Sequence, residues 1–244
     1  MTNPPANNSS SRPHWLPLLA AVVLISFFTR LGLWQLDRAD EKRDILAAAA
    51  NAGQVQLSTL SSAPQRYSQL SMEGRYDTRR HLLLDNQILN GRPGVNVLTP
   101  FTTSTGHTVL VNRGWLPLGP RRELPEVETP TGPLTLSGRV NLPPRVGRRL
   151  GENKPLSTRQ WPQLITYLDL PVVAAALDQP LTEWIVQLDA DSPGGFAGRD
   201  WPVVNFGPER HLSYAWTWFT LAFTVFLVTA LLQWRAYRRR NSRS

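Results

Sequence analysis

Two apolar segments lie near the ends of this 244-residue chain and enclose a polar middle. The first runs from Trp15 to Trp34 and the second from Leu212 to Trp234. A helix needs about 20 residues to cross a hydrocarbon core of about 30 Å, and both segments reach that length. The pattern therefore predicts two transmembrane helices that flank one globular domain. We expect a disordered tail over 1–14, a first span over 15–36, a globular domain over 37–210, a second span over 211–234 and a basic tail over 235–244.

The positive charge of the chain is concentrated at the flanks of the two spans. The formal net charge is +8. Between Asp37 and Arg210, however, 19 basic residues are balanced by 18 acidic ones, so the domain is close to neutral. A protein that binds nucleic acid needs a basic face on its folded domain. The charge distribution therefore argues against nucleic acid as a partner.

The arginines after the second span predict the orientation of the chain. Positively charged flanks of a span stay on the cytoplasmic side, which places the C-terminus there, and two spans return the N-terminus to the same side. The central domain is then periplasmic, and the protein belongs to the inner membrane of the cell. No small-x-small cleavage site follows the first apolar run, so we expect an uncleaved signal anchor.

Short apolar or alternating runs fill the central domain, with turn signals such as Asn90-Gly91 and Thr105-Gly106 between them. This spacing predicts a mainly antiparallel β domain, either a small barrel or a sandwich. One short helix is expected over Pro171–Leu177, and the arginine-rich segment Leu142–Pro155 is expected to be a mobile loop. The predicted strands are Tyr67–Tyr76, His81–Asn86, Val95–Phe101, Thr108–Trp115, Pro133–Val140 and Thr182–Leu188.

The common catalytic templates are absent from the chain. There is no Gly-x-Ser-x-Gly, no His-Glu-x-x-His and no Gly-rich phosphate loop. The chain has no cysteine, which removes thiolate nucleophiles and Cys-held metal clusters. Asp189 and Asp191 precede Ser192-Pro193-Gly194 and are expected in a turn. We predict that the protein is not an enzyme; an unfamiliar extracytoplasmic enzyme would need a polar cleft in the β domain.

The periplasmic ends of the two spans carry the residues best suited to bind a ligand. On a helix, His211, Tyr214 and Trp218 share one face, and Trp34 and Arg38 share a face of the other helix. One interpretation is an aromatic belt at the membrane interface. The other is a site for a flat apolar ligand with an acidic rim. In that case His211 would ligate the metal of a macrocycle, and Arg38 or Arg210 would pair with its carboxylates.

These junctions resemble those of the surfeit-locus family of cytochrome c oxidase assembly factors. The first family motif, Leu-Gly-x-Trp-Gln-x-x-Arg-x-x-x-Lys, matches Leu31, Gly32, Trp34, Gln35, Arg38 and Lys42. The second, Pro-x-Arg-His-Leu-x-Tyr-Ala before Trp-Phe, matches Pro208, Arg210, His211, Leu212, Tyr214, Ala215, Trp218 and Phe219. Between them, the central family blocks resemble Gly91, Gly94, Thr99-Pro100 and the run Val111-Asn112-Arg113-Gly114-Trp115.

The resemblance implies a role in the maturation of haem–copper cytochrome c oxidase, in which the protein holds or delivers haem a. The family's haem-associated histidine falls on His211, a possible haem iron ligand. We expect the two helices to hold haem a between their outer ends, while Arg113 and Trp115 anchor the β domain. The predicted site comprises His211, Arg210, Tyr214, Trp218, Trp34, Gln35 and Arg38.

The implied partners are the catalytic subunit of the oxidase, the haem a synthesis machinery and the lipid bilayer. A second hypothesis has no cofactor: a membrane-anchored interaction module would stabilise an oxidase assembly intermediate by contact alone.

Overall fold

The computed structural model describes residues 15–56, 63–144 and 156–242. The predicted tail over 1–14 and most of the predicted loop Leu142–Pro155 lie outside these ranges. The described residues form two compact units, one from 15–46 and 204–242 and one from the described part of 47–203. The elements, in chain order, are α1 Leu16–Ala50, β1 Gln54–Gln56, β2 Gln69–Tyr76, β3 Leu82–Leu89, β4 Arg92–Thr103, β5 Thr108–Pro117, β6 Leu134–Asn141, β7 Gln163–Ile165, α2 Leu170–Leu177, β8 Ile185–Leu188 and α3 Pro208–Asn241.

Helices α1 and α3 are each long and apolar enough to cross a membrane. At about 1.5 Å per residue, 35 residues extend about 52 Å, well beyond the hydrocarbon core. Only 11% of the most apolar window of each helix is buried within the protein. A core helix of a soluble protein would be mostly buried, so the exposed apolar surface of both helices requires lipid. The chain is a membrane protein with two spans.

The composition of the helices explains where they begin and end. Pro208 opens α3, where its missing N–H and fixed φ are compatible with a first helical turn. Glu209 lies in that first turn and three arginines lie in the last one, so both ends complement the helix dipole. The first helix continues past the predicted span to Ala50, as the closely spaced charges and the alanine run indicate.

The central unit is a closed five-stranded barrel. Its strands follow the order β2-β6-β8-β5-β4, and the pairing of β2 with β4 closes the ring. Four of the five contacts are antiparallel, and β5 with β8 is parallel. Closure removes the unpaired edges that an open sheet of this size would leave. The predicted mainly antiparallel β domain is confirmed, and of the two predicted forms it is the barrel.

The barrel interior is apolar because every second residue of its strands points inward. In β2 the alternation buries Leu70, Met72 and Tyr76 and exposes Glu73 and Arg75. Inward residues from β2, β4, β5, β6 and β8 form one continuous cluster around Phe101. Apolar side chains from all five strands therefore pack together in the interior.

A second cluster covers the outside of β3, β4 and β5. Helix α2 supplies Leu170, Val173 and Leu177 to it, and β3 supplies Leu82 and Leu84. The helix begins with proline in its first turn and ends at Asp178, which adopts a left-handed conformation at φ 54°. The predicted helix over Pro171–Leu177 thus agrees with the observed one to within a residue.

The predicted Asn90-Gly91 turn joins β3 to β4. Both residues have positive φ, 50° and 76°, as a two-residue hairpin turn requires. All six predicted strands have observed counterparts. Two three-residue strands were not predicted: β1, which pairs in parallel with β2, and β7, which pairs in parallel with β3.

Candidate functional site

Small residues predominate at the buried positions of the two apolar helices. Except for Gln35 and Pro208, every buried residue of the pair is glycine or alanine. The buried residues are Ala21, Gly32, Gln35 and Ala39 on α1, and Pro208, Ala215 and Ala222 on α3.

Aromatic rings make two contacts between the helices. A Cβ atom built on Gly32 would lie 2.5 Å from Cε1 of Phe219, so the phenyl ring occupies the space that the glycine leaves. Phe28 and Trp218 stack with ring centroids 5.9 Å apart and planes inclined by 20°. These two contacts fill the space between the helices at their levels. The expectation that the helices hold haem a between their outer ends stays a prediction, and a ligand at these levels would bind on the flank of the pair.

His211 and Gln35 meet where the two helices are in contact. Nδ1 of His211 lies 2.9 Å from Oε1 of Gln35. Gln35 is buried and His211 is half-buried, so the hydrogen bond is partly shielded from solvent. An amide oxygen only accepts, which makes Nδ1 the donor. In the neutral ring the lone pair is then on Nε2, the nitrogen that could bind a metal.

The other predicted residues lie on exposed surface near these helix ends. The ring of Trp34 is 47% exposed and is covered by the Arg38 guanidinium at 5.8 Å. Arg210 stacks on Phe206 at 4.1 Å, and Tyr214 is 47% exposed. The structure thus brings His211 and Gln35 together. It does not place Trp34, Arg38, Arg210 or Tyr214 in that contact.

Arg38 has an acidic partner on its own helix. Its Nη1 lies 2.5 Å from Oε2 of Glu41, one turn further along α1. The Arg38 hydrogen bond and charge lower the pKa of Glu41, and the nearby Lys42 and His211 act in the same direction. Both side chains of the ion pair are about half exposed. Arg38 could exchange Glu41 for a ligand carboxylate at little cost, because exposed ion pairs are weak.

Exposed aromatic rings around the helix ends also suit the belt interpretation. Trp216 is 73% exposed, more than Trp34 or Tyr214. Interfacial tryptophan and tyrosine place an apolar ring among acyl chains and a polar edge among headgroups. Trp218 differs from these residues, because its Nε1 is buried and has no hydrogen-bond partner among the described residues.

Phe28 and Phe219 are important in the helix contact, yet the sequence alone assigned neither a role there. Phe28 lies four residues before Gly32 and seven before Gln35, on the same helical face. That spacing was the available signal. It could not be interpreted without knowing which face of the apolar helix meets α3.

Two other described histidines are engaged in the β domain. His81 is buried, with Nδ1 3.1 Å from Thr99 Oγ1. Burial, together with the charge of Arg113, lowers its pKa. His107 is exposed and lies at the β4–β5 turn, 3.1 Å from the Thr105 hydroxyl. No group of three or more His, Cys, Asp or Glu residues within the described ranges could hold a metal ion.

Arg113 joins β5 to two loops of the β domain. It is fully buried, and its guanidinium lies between the rings of Tyr76 and Phe196, at 4.8 and 4.6 Å from their centroids. Burial lowers its pKa to about 10, so it remains charged at neutral pH. Its hydrogen-bond acceptors are Gly194 O at 2.6 Å, Glu128 O at 2.6 Å, Thr129 Oγ1 at 2.8 Å and Thr99 Oγ1 at 3.3 Å.

The neighbours of Arg113 in the central motif are also structural. Gly114 has a φ of 107°, and an added Cβ would lie 2.5 Å from Ala197 O. Trp115 is buried; its ring lies where a Cβ on Gly94 would be, 2.4 Å from Cε2, and its Nε1 donates to Gln87 O at 3.3 Å. Arg113 and Trp115 therefore have packing roles inside the domain.

One polar cleft of about 500 Å³ lies beside β1, β2 and β6. Burial raises the pKa of its single carboxylate, Asp189, which accepts a hydrogen bond from Gln69. The predicted turn after Asp189 is present, since Ser192 N donates to Asp189 O at 3.2 Å. No histidine, lysine or arginine is among its lining residues, which are Gln54, Val55, Gln69, Leu70, Ser71, Ser137 and Asp189.

Comparisons with known proteins agree over most of the chain. Residues 22–223 match the model of the SURF1 family. An uncharacterized SURF1-like protein of Mycobacterium tuberculosis is 28% identical over 219 residues, which cover 85% of this chain and 79% of the relative. Surfeit locus protein 1 of Gallus gallus is 27% identical over 253 residues, covering 91% of this chain and 77% of the relative. A SURF1-like protein of Caenorhabditis elegans is 28% identical over 245 residues, 87% of this chain and 71% of the relative. The chain belongs to the SURF1 family.

Proposed function

We propose that this protein is an assembly factor for haem–copper cytochrome c oxidase that holds haem a through His211 and passes it to the catalytic subunit. The proposal follows the family assignment, and the contact between His211 and Gln35 is the observation that carries it. A ligating histidine needs its second ring nitrogen held by a hydrogen bond. His211 meets that requirement at the end of two membrane helices, where an apolar macrocycle would be concentrated.

The residues around His211 suit a planar cargo that binds on the flank of the helix pair. Tyr214 and Trp34 offer exposed aromatic faces. Trp218 has a buried N–H without a partner among the described residues. Arg38 and Arg210 would pair with the propionates of haem a. A half-exposed site favours moderate affinity, as a protein that must release its cargo requires.

The orientation of the chain is part of the proposal. The arginines from Arg235 onward would hold the C-terminal end of α3 in the cytoplasm. His211 would then lie at the periplasmic side of the inner membrane, with the β barrel in the periplasm. The barrel would offer the docking surface for the catalytic subunit, and the haem a synthesis machinery would load the site.

Haem content tests the proposal directly. The full-length chain is produced together with haem a synthesis and purified in detergent, and the Soret absorbance per protein is measured. His211→Ala should lose most of the bound haem, while His107→Ala, a matched change in an exposed turn of the β domain, should retain it. An unchanged haem content in His211→Ala would remove His211 from the role.

A cofactor-free interaction module is the second candidate function. The observation that favours it is the packing of the Phe219 ring against Gly32, which fills the space between the two helices at that level. A wild-type protein that shows no Soret band and still co-purifies with the catalytic subunit of the oxidase would support this candidate over haem delivery.

A further inference from the structure

Gln35 is the only buried residue of α1 with a polar side chain. The others are Ala21, Gly32 and Ala39. A buried amide without a partner costs about 1–3 kcal/mol. Gln35 has a partner across the helix contact, because its Oε1 accepts a 2.9 Å hydrogen bond from Nδ1 of His211. The two residues are 176 positions apart in the sequence, so only the packing of the two helices makes them partners.

We infer that Gln35 is the positioning residue of His211: it holds the ring in its Nδ1–H tautomer and leaves Nε2 as the nitrogen that binds the metal of haem a. This inference rests on the proposed function. Histidine ligands commonly donate their other N–H to a carbonyl or carboxylate, which fixes both the tautomer and the ring orientation. Gln35 therefore acts on the ligand through His211 and does not itself bind the metal.

The chemistry of an amide explains why this partner suits a carrier. A carboxylate would draw the Nδ1 proton towards itself and make the imidazole a stronger, more anionic ligand. One carboxylate that interacts with His211, that of Glu41, is paired with Arg38 at 2.5 Å. The amide oxygen of Gln35 is neutral, so His211 remains an ordinary neutral imidazole. We expect such a ligand to bind haem iron less tightly than a carboxylate-paired histidine would, which favours release.

The test compares two substitutions that change the hydrogen bond in opposite directions. Gln35→Glu strengthens it, and Gln35→Met removes it while conserving side-chain volume. Each full-length variant is loaded with haem a, and the iron–histidine stretching frequency of the ferrous form is measured by resonance Raman spectroscopy. We expect the frequency to rise in Gln35→Glu and to fall in Gln35→Met. Haem affinity should fall about 10- to 100-fold in Gln35→Met.

A matched control separates positioning from general packing. Gln233→Met makes the same change on an exposed position near the other end of α3 and should leave frequency and affinity unchanged. A purely structural Gln35 would change the amount of bound haem in both variants without opposite shifts in frequency. That result, with His211→Ala losing its haem, would overturn the positioning role and leave the proposed function intact.

A second measurement does not depend on haem. In the free protein labelled with ¹⁵N-histidine, long-range ¹H–¹⁵N spectra report the tautomer of each ring, and His211→Ala identifies the signals of His211. We expect the Nδ1–H tautomer in the wild type and its loss in Gln35→Met. A wild type without a Soret band would contradict the proposed function, and an unchanged His211 tautomer in Gln35→Met would contradict the role of Gln35.

Discussion

Replacement of Arg113 should destabilise the β domain more than any exposed arginine could. In Arg113→Met, Gly194 O and Glu128 O lose their donors, at about 2 kcal/mol each. Two cation–π contacts are also lost, at about 1–2 kcal/mol each. Relief from burying the charge offsets about 3 kcal/mol, because burial lowers the pKa of Arg113 to about 10. The net loss of unfolding free energy is about 4 kcal/mol.

Arg113→Lys separates the charge from the shape of the side chain. Lysine keeps the positive charge and its burial cost, yet it cannot reach four acceptors in the fixed fork of a guanidinium. We expect it to be no more stable than Arg113→Met. Arg122→Met is the matched control. Its side chain is 58% exposed and, among the described residues, its guanidinium pairs with Asp85, so the loss should be at most about 1 kcal/mol.

Because the sequence contains no cysteine, a single introduced thiol can report unfolding of the β domain. A single Val97→Cys change places one thiol in the core, where the native residue is fully buried. Maleimide labelling of the full-length protein in detergent, across a urea series, then reports the unfolding free energy of the β domain. A loss of about 4 kcal/mol corresponds to roughly 1000-fold more of the labelling-competent state. An Arg113→Met protein within 1 kcal/mol of its parent, or a fully stable Arg113→Lys protein, would refute this reasoning.

Three further predictions concern a helix contact, a buried hydroxyl and a carboxylate. Gly32→Ala should lower the unfolding free energy of the protein in detergent by about 1–3 kcal/mol, because the new methyl group would lie 2.5 Å from the Phe219 ring. Adding Phe219→Ala to this variant should restore much of the lost stability. Tyr76→Phe should raise the unfolding free energy by about 1 kcal/mol, since the buried hydroxyl has no hydrogen-bond partner among the described residues. Asp77→Asn should flatten the acid branch of the stability–pH curve. Burial opposes the ionised form of Asp77, but hydrogen bonds from the Arg79 and Arg80 backbones and the Arg80 guanidinium outweigh burial and lower its pKa.

Each of these three predictions has a control variant or an outcome that would contradict it. Gly53→Ala has open space around the added methyl group and should leave the stability almost unchanged. A Tyr76→Phe protein less stable than its parent would show that the hydroxyl is engaged. A lowered carboxyl pKa stabilises the fold above the unfolded value of about 3.9, and that stability is lost as the pH falls through the folded value. An identical acid transition in Asp77→Asn would contradict the assignment.

Local sequence patterns predicted the two spans, six strands and α2, because these elements depend on hydrophobic periodicity and turn residues near in sequence. Closure of the barrel was beyond such reasoning. It depends on the pairing of Gly74 with Thr103 and Tyr76 with Phe101. The hydrophobic pattern of a short strand does not specify which distant strand it pairs with, or in which register. Strand β7 has only three residues, too few for a periodic pattern.

The candidate site was predicted in its composition but not in its arrangement. The motif residues at both helix ends were identified, yet Trp34 and Gln35 turn to different sides of α1, and only Gln35 is buried. An apolar membrane helix has no polar face that would set its rotation, so its inward side is decided by close packing. Here the contact between Gly32 and the Phe219 ring, which are 187 positions apart in the sequence, helps to set which side of α1 faces α3.

Cross-linking in native membranes tests most directly whether the two helices bring Gln35 and His211 together. In this cysteine-free chain, Gln35→Cys with His211→Cys is treated with a short bifunctional thiol reagent, and the linked peptides are identified by mass spectrometry. A control pair, Val23→Cys with His211→Cys, places the first thiol about 18 Å further along α1. We predict efficient linkage within one chain for the first pair and none for the control. Equal linkage of both pairs, or linkage only between separate chains, would contradict the account.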